Sequence, residues 1–264
     1  MSTADLAVIG GSGFYTFLDD PETVEVETPY GPPSAPIAVG AVGERTVAFL
    51  PRHGAGHKLP AHQVPYRANL WALRSIGVRQ ILAPCAVGGL QANYGPGTFL
   101  VPDQLIDRTT HRVQTYYDEG AAHISFSDPF CGRLRGHLVD GLDGQAPVDG
   151  GTIVVIEGPR FSTRAESKWY ADQGWAVIGM TSHPEAVLAR ELALCYATVA
   201  LVTDHDAGVD EATAVSVDEV FRVFGEHIET LKSVITDVVG AVGTDRDCSC
   251  SHAVDGMNLP FELP

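Results

Sequence analysis

Four stretches of the chain are apolar without polar alternation: residues 6–9 (LAVI), 79–90 (RQILAPCAVGGL), 152–156 (TIVVI) and 196–206 (YATVALVTDHD). Runs of this kind predict strands buried on both faces of a sheet. A further strand is expected over 175–180, and 37–50 alternates around Gly40 and Gly43 as two strands joined by a turn. Helical spacing covers 65–77, whose leucines and tryptophan belong in a core and which stops at glycine, and 186–194. Residues 215–242 predict one long amphipathic helix whose apolar face carries Val217, Val220, Phe221, Phe224, Ile228, Leu231, Val234 and Ile235. The segments 103–131 and 138–151 have neither period and read as an irregular excursion and a surface connection. Long excursions of this sort often carry function, here by packing on a neighbouring subunit.

Polar chemistry gathers where the apolar runs stop. The run 196–206 ends in Asp204, His205 and Asp206, and on an extended backbone the two carboxylates point to the same side. Beyond the carboxyl ends of strands is where open α/β sheets bind ligands. A strand exit with solvated acids and a turn at Gly208 fits the same residues.

The first strand enters Gly10-Gly11-Ser12-Gly13, a backbone-rich turn suited to an anion. A dinucleotide fingerprint is disfavoured: its third glycine is missing, and Pro21, Pro29, Pro32, Pro33 and Pro36 would break the crossover helix. Arg52-His53 closes the strand pair. The planar guanidinium offers a fork to two phosphate oxygens and the histidine a further hydrogen bond. His53, His57, Asp204, His205 and Asp206 could instead ligate a metal, but glycine and proline break any helix that would align the first two.

Ala86, Val87, Gly88 and Gly89 form a small-residue turn that brings backbone near a ligand. The loop 157–166 leads to a helix capped by Ser162 or Thr163, and carries Phe161 as a stacking or a core aromatic. Thr181 offers a hydroxyl near a helix N-terminus.

Composition narrows the classes. The 264 residues, 45% hydrophobic, suit one large α/β domain. Seventeen Lys and Arg against 33 Asp and Glu, a net charge of -16, exclude a nucleic-acid surface, so any phosphate must be held locally. No membrane span or leader peptide is expected, and the cysteines fit a reducing, cytoplasmic setting. Cys85, Cys131 and Cys195 show no pairing logic. Cys248 and Cys250 could be a redox pair or metal half-site, with free thiols in a loose tail the expected reading.

Taken together, Ile-Gly-Gly-Ser-Gly, Arg52-His53-Gly54, Glu157-Gly-Pro-Arg-Phe-Ser, Met180-Thr181 with Pro184-Glu185, and Thr203-Asp204-His-Asp206 resemble the trimeric purine nucleoside phosphorylases. The 5'-methylthioadenosine phosphorylase branch is the nearest. The motifs keep their order from about residue 6 to residue 240, and their combination is far more specific than any one of them. The resemblance implies a single α/β domain with a mixed, distorted central sheet flanked by helices over 1–243. It also implies a tail over 244–264 that covers the 5' pocket, and a homotrimer. The reaction implied is phosphorolysis of 5'-methylthioadenosine, or of adenosine, with inorganic phosphate as co-substrate and neither cofactor nor metal.

Carried over by position, Ser12, Arg52, His53, Cys85, Ala86 and Thr181 would hold phosphate. Phe161 and Met180 would flank base and ribose, and Val217 and Val220 would line the 5' pocket with His123 of a neighbouring subunit. Asp204 and Asp206 would face the purine, Asp204 as general acid. A carboxylate accepts hydrogen bonds, so the pair suits a 6-amino group and repels a 6-oxo group. Three positions depart from the pattern: Cys85 for threonine, Gly179 for asparagine, and His183 for an apolar residue. The alternatives are a 6-oxopurine or methylthioinosine phosphorylase of the same fold, a metal-dependent hydrolase, and a non-catalytic nucleoside-binding protein.

Overall fold

The computed structural model describes residues 3–11, 14, 17–120, 122–207 and 216–264. Its strands form two sheets. The first is β1 (Leu6–Gly10), β2 (Glu22–Val24), β3 (Ile37–Val42), β4 (Arg45–Pro51), β5 (Gln80–Leu82) and β12 (Cys195–Ala197), in the order β12-β5-β1-β4-β3-β2. The second is β6 (Cys85–Gly89), β7 (Phe99–Val101), β8 (Gln104–Arg108), β9 (Val148–Asp149), β10 (Thr152–Ile156), β11 (Val177–Gly179) and β13 (Ala200–His205), in the order β8-β10-β11-β6-β13-β7-β9. Both sheets mix parallel and antiparallel pairs. Around them lie α1 (Tyr66–Ser75), α2 (Gly132–Gly141), α3 (Arg164–Asp172), α4 (Ser182–Glu191) and α5 (Val217–Ala241).

The two long apolar runs are each two strands. Residues 79–90 supply β5 to one sheet and β6 to the other; residues 196–206 take part in β12 and β13. The runs stay side by side through the crossing. Ala83 N–H donates to the Ala197 carbonyl at 2.9 Å, and Cys85 N–H to the Val199 carbonyl at 3.0 Å. Pro84, which has no N–H to give, marks the change of sheet. One apolar pattern therefore serves both sheets, and Ala86 to Gly89 are strand rather than turn.

Other elements differ from expectation at edges and in glycine-rich segments. β8 pairs in parallel with β10 inside what reads as an excursion. α2 occupies a glycine-punctuated stretch and anchors through Leu134 and Leu138, both buried. β2 is a short edge strand. The remaining excursion is irregular but pinned: Arg112 donates to the carbonyls of Glu157, Met180 and His183, and Glu191 accepts from Thr115 and the Tyr116 amide. Of the two expected caps α3 uses Thr163, in a capping box with Thr163 accepting from the Glu166 amide and Glu166 from the Thr163 amide.

The tail is not loose. Arg246 donates to the Ala193 carbonyl at 2.7 Å, and Phe261 packs on Trp71, Tyr116 and Tyr117. α5 buries Val223, Phe224, Leu231, Val234, Ile235, Val238 and Val239, whereas Val217 and Phe221 in its first turns are left 54% and 42% exposed. No described helix is long and apolar enough to cross a membrane.

Candidate active site

The carboxyl ends of β4, β10, β11 and β13, the length of β6 and the first turns of α5 enclose a cavity of about 380 Å3. That volume lies within the range of about 300–1,000 Å3 of small-molecule sites. Arg52, His53, Cys85, Ala86, Phe161, Met180, Thr181, Asp204, Asp206, Val217 and Val220 all line it. Of the other expected site residues, Ser12 lies outside the described residues. His123 is exposed on the excursion and does not line the cavity of its own chain.

The acidic end is built by β13. Its pairing with β6 slips between Val202 and Asp204, and this irregularity turns Asp204 and Asp206 into the same cavity. Gly88 on β6 packs beneath them: a Cβ there would touch Asp204 Oδ2 and Asp206 Cβ at 3.4 Å and press Ile178 Cγ2 at 3.1 Å. Burial, and then the neighbouring Asp206, push the Asp204 carboxyl up to about 6, against the opposing hydrogen bond from Thr203 at 2.8 Å. Asp206 is 3% exposed and likewise raised by burial, with Ser167 and Ser162 opposing. Among the described residues its Oδ2 is buried without a hydrogen bond of ordinary length, and so is Ser162 Oγ, whose hydroxyl acts on the same carboxylate from further off. A buried acceptor without a donor costs about 1–3 kcal/mol. This end of the cavity suits a ligand that brings N–H groups.

The other end holds a buried cation. Arg52 is 1% exposed, and its Nε and Nη2 donate to Glu185 at 2.7 and 2.9 Å. Tyr196 donates to the same carboxylate at 2.8 Å. The fork expected to take two phosphate oxygens is thus taken by Glu185. The edge left is Nη1, whose partner among the described residues is the Pro84 carbonyl at 3.3 Å. A Cβ on Gly11 would fall 2.9 Å from that nitrogen, so glycine keeps its approach open.

His53 also differs from expectation. Its Nδ1 meets the Leu59 carbonyl at 2.8 Å, and a carbonyl only accepts, so Nδ1 carries the proton. Burial, and then Arg52, lower the ring to about 3. In neutral His53 the free Nε2 is consequently an acceptor, suited to a protonated phosphate oxygen or a sugar hydroxyl.

Cys85 gives no proton to an anion. The single Thr198 hydroxyl proton goes to the Ala83 carbonyl at 2.6 Å, which leaves the Cys85 thiol as donor to Thr198 across 3.4 Å. Burial raises its pKa and keeps it neutral. The Thr181 side chain makes no capping bond to α4, so its hydroxyl is available in the cavity. His183, which does not line the cavity, contacts Gln114 at 2.8 Å and Asp107 at 3.2 Å. Gly179 stands where a Cβ would press Ile153 Cδ1 at 3.3 Å.

His57, expected only as a metal ligand, and Phe221, expected only on the apolar face of a helix, also line the cavity. The His57 ring stacks on His53 at 4.3 Å between centroids and meets Phe221 edge-on at 6.1 Å. Phe221, like Val217, is exposed where the later part of the stripe is buried, but exposure is not written in a sequence. Among the described residues, no three of His53, His57, Asp204, His205 and Asp206 bring ligand atoms together as a metal would need.

A purely structural consequence can be checked first. Tyr196→Phe removes one donor from a buried carboxylate and is expected to cost about 1–3 kcal/mol in denaturant unfolding. The cavity itself should keep its shape.

A cavity with a cation and hydroxyls at one end and, at the other, two acids raised above the ordinary carboxylate range defines a site for a small polar molecule with an anion beside it. The chain belongs to the phosphorylase superfamily, whose family model matches residues 5–239. It is 57% identical to an S-methyl-5'-thioadenosine phosphorylase of Mycolicibacterium smegmatis, over 98% of this chain and 99% of that protein. It is 54% identical to a purine nucleoside phosphorylase of Streptomyces coelicolor, over 99% and 98%. Among solved structures, a methylthioadenosine phosphorylase from an antarctic soil metagenomic library superposes with a TM-score of 0.89 at 42% identity, covering 97% of this chain and 93% of that one.

Proposed function

We propose that this chain cleaves the N-glycosidic bond of 5'-methylthioadenosine with inorganic phosphate, giving adenine and 5-methylthioribose 1-phosphate. The observation that carries the reading is the pair Asp204 and Asp206: two carboxyls in one cavity, the half-buried Asp204 raised to about 6 and the buried Asp206 with an oxygen that no described residue bonds at ordinary length. Adenine offers an exocyclic amine for Asp206 Oδ2. As the bond breaks, negative charge builds on the base and positive charge on the ribose. Protonated Asp204 can supply the proton that N7 takes up as the base departs.

At the far end, phosphate sits at Arg52 Nη1, Thr181 and the backbone near Ala86, with Nε2 of His53 accepting from it or from a ribose hydroxyl. Phosphate then attacks C1', and its charge stabilises the cationic ribose until the new C–O bond forms. Phe161 and Met180 flank base and ribose, and Val217, Val220 and Phe221 give the 5' substituent an apolar wall. No cofactor takes part. In this reading the enzyme is a cytoplasmic homotrimer, and the exposed His123 reaches a neighbour's 5' pocket. The relatives named for methylthioadenosine support the substrate, and the Streptomyces relative, named for purine nucleosides, keeps adenosine as a second substrate.

Incubation with methylthioadenosine, adenosine and inosine, with and without phosphate, tests this. Adenine release that requires phosphate is expected. Release without phosphate, or a preference for inosine, would overturn the reading. The acid role of Asp204 has its own signature. A carboxyl near 6 is protonated below that pH, so kcat/KM should fall as pH rises through about 6. Asp204→Asn should lose that limb while the ionisation of phosphate itself still shows.

A further inference from the structure

Four cysteines that are scattered in sequence meet in space, away from the cavity. Cys131 is the N-cap residue of α2, Cys195 opens β12, and Cys248 and Cys250 belong to the tail. Their sulfurs all lie within 4.8 Å of one another, and none of the four lines the cavity. Cys131, Cys195 and Cys250 are buried and Cys248 half-buried.

We propose that these four thiolates bind one zinc ion, which fastens the C-terminal tail to α2 and β12. A tetrahedral site with Zn–S near 2.3 Å sets its sulfurs about 3.8 Å apart. The mutual distances here bracket that value, with Cys195 and Cys248 at 3.3 Å and no pair beyond 4.8 Å. A disulfide would need about 2.0 Å and would join the sulfurs in twos, whereas all four lie within 4.8 Å of one another.

The surroundings suit a thiolate cluster. The Arg133 guanidinium, held by Gln80, lies close enough to act electrostatically on Cys131, Cys195 and Cys248, and that of Arg190, held by the Ser125 and Asp128 carbonyls, on Cys250. Zinc with four thiolates carries two negative charges, which these two cations offset. The N-terminus of α2 adds its dipole at Cys131. Four protein sulfurs leave no open position, so the site is structural, and each thiol gives its proton to solvent as the metal binds.

The backbone is already held for it. Cys131 N–H donates to the Tyr196 carbonyl at 2.8 Å, and Ser251 Oγ donates within the C-S-C turn to the carbonyl of Arg246 at 3.0 Å or of Cys248 at 2.9 Å. The tail thus fastened is the one that carries Phe261 onto the Trp71 cluster.

The test is metal analysis of the full chain purified without chelator, followed by removal of metal under reducing conditions and titration with Zn(II) or Co(II). One zinc per chain is expected, and Co(II) should give the intense visible bands of a tetrahedral thiolate site. Cys248→Ser with Cys250→Ser should lose the metal and expose the chain to proteolysis after residue 243. Where that variant folds poorly, the wild-type titration decides alone. Intact-mass analysis showing disulfides in place of metal, or four free thiols that take up neither ion, would overturn the proposal.

Discussion

Replacing Asp204 by Asn is expected to lower kcat/KM for methylthioadenosine by about 10^2–10^4-fold, the usual contribution of a positioned general acid. At the same time turnover of inosine or methylthioinosine should rise above the wild-type level. Both effects have one cause. Asn cannot deliver a proton to N7, but its amide N–H can donate to a 6-oxo group that a carboxylate would repel. Instability cannot mimic the result. Burial holds the Asp204 carboxyl above its ordinary range, so this group takes stability away as pH rises from about 4 through 6. At neutral pH the Asn variant is expected to unfold at the same denaturant concentration as wild type, or a higher one. Asp206→Asn in contrast should weaken discrimination without removing the pH limb, because its role is to accept from the exocyclic amine.

Glu185 lies outside the cavity lining, yet its loss should be felt strongly. Glu185→Ala leaves the Arg52 guanidinium buried without its partner, and breaking such a pair costs about 3–5 kcal/mol. Glu185→Gln keeps the shape and one acceptor, and folds. Its expected signature is a KM for phosphate raised by about 10^2-fold, the cost of a misplaced binding group, with the KM for nucleoside little changed. Equal effects on both substrates would show that Glu185 holds the fold and does not position Arg52 for the anion.

What the sequence made legible follows from where polar residues interrupt apolar runs. Asp204 and Asp206 stand out because a β-branched run ends on them, and Arg52 and His53 because they close a strand; the cap of α3 was legible only as Ser162 or Thr163, and the structure gives it to Thr163. The division of 79–90 and 196–206 between two sheets was hidden, since a buried strand has the same pattern whichever sheet takes it. Gly132, Gly136 and Gly141 concealed α2, whose stability comes from packing Leu134 and Leu138 against α5 and not from helix propensity.

Pairings across long sequence separations were equally out of reach. Arg52 finds Glu185, which removes the fork from the anion, and Cys131 and Cys195 find the C-S-C of the tail. Local spacing carries no record of such contacts. The roles of Arg52 and His53 therefore changed in detail although both line the cavity as expected.

The central claim is that the acid pair reads an adenine while Arg52 holds the anion, and a crystal structure with methylthioadenosine and sulfate tests it most directly. The account predicts the 6-amino nitrogen within hydrogen-bond distance of Asp206 Oδ2, N7 facing Asp204, and sulfate at Arg52 Nη1 and Thr181. A purine ring turned away from both carboxylates, or sulfate bound elsewhere, would contradict it.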